Sequence, residues 1–280
     1  MTDRTGVDAS TPQTARIWNY LLGGVDNYAV DRAVGDEIIA GLPHLAENAR
    51  LSRAFLNRAV RYLAGDAGVR QFLDVGSGLP AASATHEVAR GVARDARVVY
   101  VDYDPLVAAH ARVLLRRDGS EHSAERAAGA EGAEGGNAID YLNADMRDAA
   151  TILRDASRTL DLTEPVGLLL MGVLGHVESD AEAKAIVDAL LDGLAPGSYL
   201  ALYDGSDTSA ANNEAVRIWN LSANPKYHLR SPARLAALFD DLDLIEPCVV
   251  SVTHWHPENA AGPRPDAIDQ YCGVGRKPVR

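Results

Sequence analysis

The run VRQFLDVGSG, residues 69–78, constrains the fold of this chain more than any other stretch. Val69, Phe72, Leu73 and Val75 make a short, nearly continuous apolar segment, the pattern of a strand buried on both faces. It ends in Gly76 and Gly78, which predicts a tight turn at the carboxyl end of the strand and a crossover helix over Ala81–Arg94. ARVVYVDYDP, residues 96–105, repeats the compressed apolar pattern as a second strand. A strand, a crossover helix and a second strand in that order call for a parallel pair.

The alternation continues along the chain. A helix is expected over Pro105–Arg116, strands at AIDYLNADM and VGLLLMGVLGHV, a helix over Ala181–Leu194, a strand at GSYLALYDGS and a helix over Ser231–Phe239. LDLIEPCVVSVTHW and IDQYCGVGRKP follow with no helix between them, so they are expected to pair as an antiparallel hairpin. The sum is an α/β fold: a Rossmann-like, doubly wound sheet of seven strands, mostly parallel, with a terminal antiparallel hairpin. Ahead of it Ile17, Tyr20 and Leu21, then Ile38, Ile39 and Leu42, then Leu51, Phe55, Leu56, Val60 and Leu63 recur at helical spacing. Residues 1–64 are therefore expected to form an N-terminal helical cap or lid, and residues 65–280 the core. Residues 118–138, rich in Gly, Ala and Glu without periodicity, predict a mobile insertion.

Composition narrows the function. With 280 residues, 47% hydrophobic and 24% charged, the chain suffices for one large core. The formal net charge of −12 argues against a nucleic-acid partner, which a clustered basic surface would recruit. No apolar run approaches the ~18 residues of a membrane span, and the first residues lack an apolar signal core. No membrane partner and a cytoplasmic location are expected. Cys248 and Cys272 stand outside any zinc-site spacing and read as reduced thiols. His254 and His256 would share one face of a strand, but two ligands without a third do not make a metal site, so no metal is expected.

The chemistry concentrates at strand ends. In LDVGSGLP an acid, Asp74, precedes Gly76-Ser77-Gly78, where the backbone can approach a ligand closely. Asp102 ends the second strand, placing a carboxylate where it can accept both hydrogen bonds of a ribose diol. Asp145-Met146 lies just past the third strand, able to pair with an adenine amino group and to wall the ring. This trio resembles the cofactor site of Rossmann-like methyltransferases that use S-adenosyl-L-methionine. The resemblance implies Gly76, Ser77 and Gly78 beside the methionine portion, Asp102 with its neighbour Tyr103 at the ribose, Asp145 and Met146 at adenine, and S-adenosyl-L-homocysteine as product. A dinucleotide site would need Ala81 as its third small residue; Asp74 and the terminal hairpin favour the methyltransferase.

A closer resemblance covers nearly the whole chain. RIWNYLLGGVDNYAVDR, LSRAFLNRAVRYL, FLDVGSGLP, LFDDLDLIEPCVV and YCGVGRKP are similar to a bacterial methyltransferase family long catalogued as a domain of unknown function. The opening motif keeps Tyr20, Leu21, Leu22, Gly23, Gly24, Asp26, Asn27, Tyr28, Asp31 and Arg32, with Asn19 and Val25 where Asp and Lys are often found.

Several residues then become candidates. His176, at the tip of the fourth strand, is a candidate general base, although relatives often carry the histidine where this chain has Gly175. Arg53 and Arg32 are candidates for a two-pronged contact with the cofactor carboxylate. Tyr20–Arg32 predicts a helix broken at Gly23-Gly24 and folded over the cofactor pocket, with Tyr20, Asn27, Tyr28 and Arg32 serving the pocket. The alternative is a capping turn in which Asp26 and Asn27 satisfy backbone amides and Asp31-Arg32 faces water. Trp219 and Tyr227 are candidates for a lid or acceptor wall. The expected function is methyl transfer to a small-molecule acceptor. Its rivals are a non-catalytic module that binds the same cofactor, and an NAD(P)-dependent oxidoreductase.

Overall fold

A computed structural model of the chain describes residues 8–79, 83–104, 106–107, 138–258 and 262–279. The apolar runs form parallel strands β1 (Gln71–Val75), β2 (Arg97–Asp102), β3 (Ile139–Asn143), β4 (Gly167–Met171) and β5 (Tyr199–Gly205). The last long strand, β8 (Gln270–Arg276), lies antiparallel beside β5. It also pairs with two short strands, β6 (Asp243–Leu244) and β7 (Val250–Ser251), both antiparallel. The sheet order is β3-β2-β1-β4-β5-β8-β6, with β7 joining β8.

The sheet has eight strands where seven were expected, and the reason lies in the stretch read as one strand, LDLIEPCVVSVTHW. Pro247 has no N–H to give a ladder, and Cys248 takes a left-handed φ of 66°. The stretch therefore breaks into β6 and β7, and from Val252 the chain turns. His254 and His256 sit in that turn, not alternating on a strand face.

Helices α1 (Thr14–Leu21), α2 (Ala29–Gly41), α3 (Leu45–Gly65), α4 (Thr85–Val92), α5 (Ala149–Ala156), α6 (Asp180–Asp192), α7 (Ala210–Ser222) and α8 (Pro232–Ala236) cover the sheet. Alternate strand residues feed two cores, as a strand's period of two requires. Leu73, Val75, Leu168, Leu170, Leu200 and Leu202 join Ile152 of α5 and Val187 and Leu190 of α6. Phe72, Leu169, Ala201 and Tyr203 face the other way, onto Phe55 and Leu63 of α3.

Some helix boundaries differ from the sequence reading. The helix expected from Ala81 starts at Thr85, because Ser83 is left-handed (φ 62°) and the Glu87 carboxylate caps the amide of Ala84 at 2.9 Å. The helix expected over Ser231–Phe239 is α8 followed by a 3₁₀ turn at Ala237–Phe239. Helix α7 was not expected at all; Ser209 caps it by accepting the amide of Asn212 at 3.1 Å. Residues 118–137 of the expected insertion, and most of the helix expected over Pro105–Arg116, lie outside the described residues.

A third core belongs to the N-terminal helices. Ile17, Leu21, Val34, Ile38, Leu42, Leu45 and Ala49 pack with Ala215, Trp219 and Ala223 at the C-terminal half of α7. Helix α3 serves two layers: its first turns join this cluster, and Phe55 to Leu63 lie on the sheet.

Candidate active site

In a sheet ordered β3-β2-β1-β4-β5, the direction of winding reverses between β1 and β4, which opens a crevice at the strands' carboxyl ends. A cavity of about 370 Å³ lies there, within the size range of small-molecule sites. It is lined by the tips of β1 to β5 from below and by α1, α3, α7 and the segment 225–229 from the sides.

The register sets the floor. Val75 pairs with Val101 and with Leu170, and Asp102 pairs with Asn143, so the tips end nearly level. The amides of Gly76 and Ser77 then turn back to the carbonyl of Val101 at 2.8 and 3.2 Å. Gly76 takes φ 75°, and a Cβ there would stand 2.4 Å from Val173, so no other residue fits this turn. The carboxylate of Asp102 accepts the amide of Gly78 at 2.8 Å and that of Asp104 at 3.0 Å. Asp102 is thus locked in orientation with lone pairs left over, and burial raises its pKa.

Around this floor the cavity gathers Arg53, Asp74, Ser77, Tyr103, Asp145, Met146 and His176. Asp74 is buried beneath it; the Thr85 hydroxyl donates to its Oδ2 at 2.6 Å, and burial pushes its carboxyl up to about 6. Arg53 donates through Nη2 to the carbonyl of Ser83 at 2.8 Å, while its buried Nε has no hydrogen-bond partner among the described residues. Tyr103 is half exposed at the rim. Asp145 is held by Arg147, whose amide and Nη1 both donate to Oδ1, at 2.9 and 3.4 Å. Met146 is buried at 9% exposure and lines the cavity as an apolar wall.

His176 ends the 3₁₀ turn Leu174–His176 that follows β4. Its Nδ1 lies 2.8 Å from the carbonyl of Lys226. A carbonyl only accepts, so Nδ1 carries the proton and Nε2 is left as the basic nitrogen. Burial lowers the pKa of the ring, keeping it neutral near pH 7. Gly175 is bare for a packing reason: a Cβ there would come within 2.2 Å of the Tyr227 ring. The ring of His176 meets that of Tyr227 edge-on, with centroids 5.1 Å apart.

Trp219 and Tyr227 both line the cavity. Tyr227 is clamped through its backbone by Asn220 at 2.7 Å on either side, and its hydroxyl donates to buried Asp204 while accepting the amide of Gly205 at 3.1 Å.

The opening motif contributes differently from the expectation. Tyr20, Asn27, Tyr28 and Arg32 are absent from the cavity wall, which takes Thr14, Ala15, Trp18, Asn19 and Leu22 instead. Tyr20 donates to Asp36 at 2.5 Å. Asn27 donates to Asn19 Oδ1 and Gly24 O, and Arg32 donates to Asn27. Tyr28 lies under the Arg16 guanidinium, 4.9 Å from its ring centre. These residues are occupied in holding the turn. The alternative reading also needs adjustment, because Asp31 is fully buried and the acceptor for the Asp26 amide is Asn19. The spacing Trp18–Leu22 and Ala215–Trp219, one helical turn each, was the available signal for the wall. Among the described residues no three His, Cys, Asp or Glu side chains gather to hold a metal.

Comparisons with known proteins find similar sequences and folds. A family model described as S-adenosyl methyltransferase matches residues 1–278. The structure is similar to that of a candidate methyltransferase from Thermobifida fusca YX, at 38% identity and a TM-score of 0.86 over 97% of both chains. It is similar also to a DUF574 family protein from Streptomyces avermitilis MA-4680, at 37% identity and a TM-score of 0.84 over 97% of this chain and 99% of the other. At 13% identity, an O-methyltransferase family protein from Burkholderia thailandensis shares the fold, with a TM-score of 0.52 over 83% of this chain and 59% of its own. No curated protein sequence matches.

Proposed function

The chain belongs to the S-adenosyl methyltransferase family, and we propose that it catalyses methyl transfer to a small-molecule acceptor held in the cavity at the carboxyl ends of β1 to β5. The family description names the cofactor, so the nicotinamide reading falls. When bound, S-adenosyl-L-methionine supplies a methyl group made electrophilic by its sulfonium.

The donor set of the cavity fits that cofactor. Asp102 offers an oriented carboxylate for a ribose diol, and Asp145 with Met146 offers an acceptor and an apolar wall for a purine. The Gly76-Ser77-Gly78 turn and the orphaned Nε of Arg53 would serve the amino-acid end. The chain's own residues then have three tasks: to hold both partners in line, to exclude water and to remove a proton. α1 and α7 close the sides of the cavity, and His176 Nε2 is the base.

The observation that carries this reading is the convergence of Asp102, Asp145 and the neutral imidazole of His176 on one cavity. Titration calorimetry with S-adenosyl-L-homocysteine tests it. The full chain is expected to bind this ligand and to ignore NAD, and Asp102→Ala is expected to weaken binding by about 10- to 100-fold, the loss of one or two hydrogen bonds to a charged acceptor. Unchanged affinity in Asp102→Ala would remove Asp102 from the site.

A further inference from the structure

The walls of the cavity differ in charge. Its acids and arginines, Asp74, Asp102, Asp104, Asp145, Arg53 and Arg147, come from α3 and from the tips of the first three strands and the loops after them. The opposite wall, built by α1, α7 and the segment Pro225–Leu229, contributes no charged side chain. Two indoles, Trp18 and Trp219, and the Tyr227 ring supply flat apolar surface there.

Three polar side chains on that wall are committed to the protein, while the buried Nε1 of Trp219, a neutral donor, has no hydrogen-bond partner among the described residues. Tyr227 gives its proton to Asp204, Asn19 Oδ1 accepts from Asp26 and Asn27, and Asn212 Nδ2 donates to Ser206 O at 2.8 Å. A charged acceptor entering this side would lose its hydration, and Arg147, the cation among the described residues whose charge reaches His176, is already paired with Glu182 at 2.7 Å and Asp145 at 3.4 Å. The basic atom left beside the wall is Nε2 of His176, which takes a proton and gives none.

Resting on the methyl-transfer reading above, we propose that the acceptor is an uncharged aromatic hydroxyl compound, its ring between α1, α7 and Pro225–Leu229 and its hydroxyl donating to Nε2 of His176. In the reaction the hydroxyl oxygen forms the new bond to the methyl carbon as the sulfur–methyl bond breaks. The sulfur keeps the electron pair and becomes a neutral thioether, and the hydroxyl proton passes to Nε2, giving an imidazolium. A phenol suits a neutral imidazole better than an aliphatic alcohol, because its proton leaves far more readily, with a pKa near ~10.

Size-matched naphthyl probes test the claim on the full chain saturated with S-adenosyl-L-homocysteine. Binding of 2-naphthol, 2-methoxynaphthalene, 2-naphthoate and 2-naphthylmethylammonium is followed by quenching of tryptophan fluorescence and confirmed by equilibrium dialysis. 2-Naphthol is expected to bind at least tenfold more tightly than each of the other three. In His176→Leu its advantage over 2-methoxynaphthalene should vanish. Val216→Asp, which puts a carboxylate on the α7 wall, should weaken 2-naphthol and strengthen the ammonium probe, with the homocysteine ligand bound as before. Equal or tighter binding of 2-naphthoate, or no binding of any probe to enzyme that binds S-adenosyl-L-homocysteine, overturns the inference. Failure to bind S-adenosyl-L-homocysteine overturns the proposed function instead.

Discussion

Asp204 and His176 show how burial prepares single side chains. Asp204 is fully buried beside the cavity, with Tyr227 on Oδ1 and no partner for Oδ2 among the described residues, and burial pushes its carboxyl up to about 6. An acid whose pKa is higher in the folded state than in the unfolded one holds its proton more tightly when folded. Its contribution is therefore most favourable at low pH and is lost as pH rises from about 4 to about 6. Asp204→Asn escapes that loss, so its stability relative to wild type should be about 2 kcal/mol greater at pH 7.5 than at pH 4.5, read by urea unfolding. A pH-independent difference would mean that the fold compensates the ionised carboxylate. His176 moves the other way: burial lowers its pKa below the ordinary 6.5, with Arg147 and His228 adding repulsion to the protonated ring. The rate should hold as pH falls through 6.5 and decline only at more acidic pH. In His176→Gln that limb should disappear and kcat should drop about 10²- to 10⁴-fold, with the affinity for S-adenosyl-L-homocysteine unchanged.

At the scale of elements, one buried carboxylate ties the first two helices together. Asp31 Oδ2 accepts the Tyr28 amide at 2.8 Å, capping α2, and Oδ1 accepts the Gln13 amide at 3.0 Å, at the start of α1. Arg16 neutralises it at 2.9 Å with both side chains buried. Asp31→Ala leaves Arg16 buried and uncompensated, so thermal or urea unfolding should show a loss of about 3–5 kcal/mol; a loss under 1 kcal/mol would mean that water replaces the carboxylate. This contact also shows what the sequence could and could not tell. Asp31 reads as the acid of an exposed turn because nothing local announces that Arg16, fifteen residues earlier, will bury it. Strand-tip residues such as Asp102 and Asp145 were legible as cavity residues, since a buried strand that ends in a turn leaves its next side chains only one crevice to face. Helix α7 was missed because Asn212 stands on its buried face beside Ala215 and Trp219, and the burial of that face depends on α1 and α2, nearly two hundred residues away. The split of the sixth strand was announced by Pro247, which no central strand accepts.

The whole molecule places its ligand cavity between two cores that share helix α3. One wall belongs to the cluster of α1, α2 and α7 and the floor belongs to the sheet, so cofactor on the floor and acceptor against the wall together touch both. Occupancy should then stabilise the fold and slow local opening of the helical wall together. A ligand at 100 times its Kd adds about 2.7 kcal/mol, which for a chain of this length corresponds to a rise in Tm of roughly 5 °C or more. Saturating S-adenosyl-L-homocysteine is expected to produce that rise in wild type and little of it in Asp102→Ala at the same concentration, while the Tm without ligand differs by less than the shift itself. Hydrogen exchange locates the effect. Amides of Gly76 to Gly78 should exchange more slowly with S-adenosyl-L-homocysteine alone, and those of Thr14–Leu21 and Ala210–Ser222 should slow when 2-naphthol is added. Slowing of α1 and α7 by S-adenosyl-L-homocysteine alone would mean that the helical wall engages the cofactor and does not serve the acceptor alone, because only a ligand that contacts a wall lowers the free energy of its closed arrangement relative to the open one.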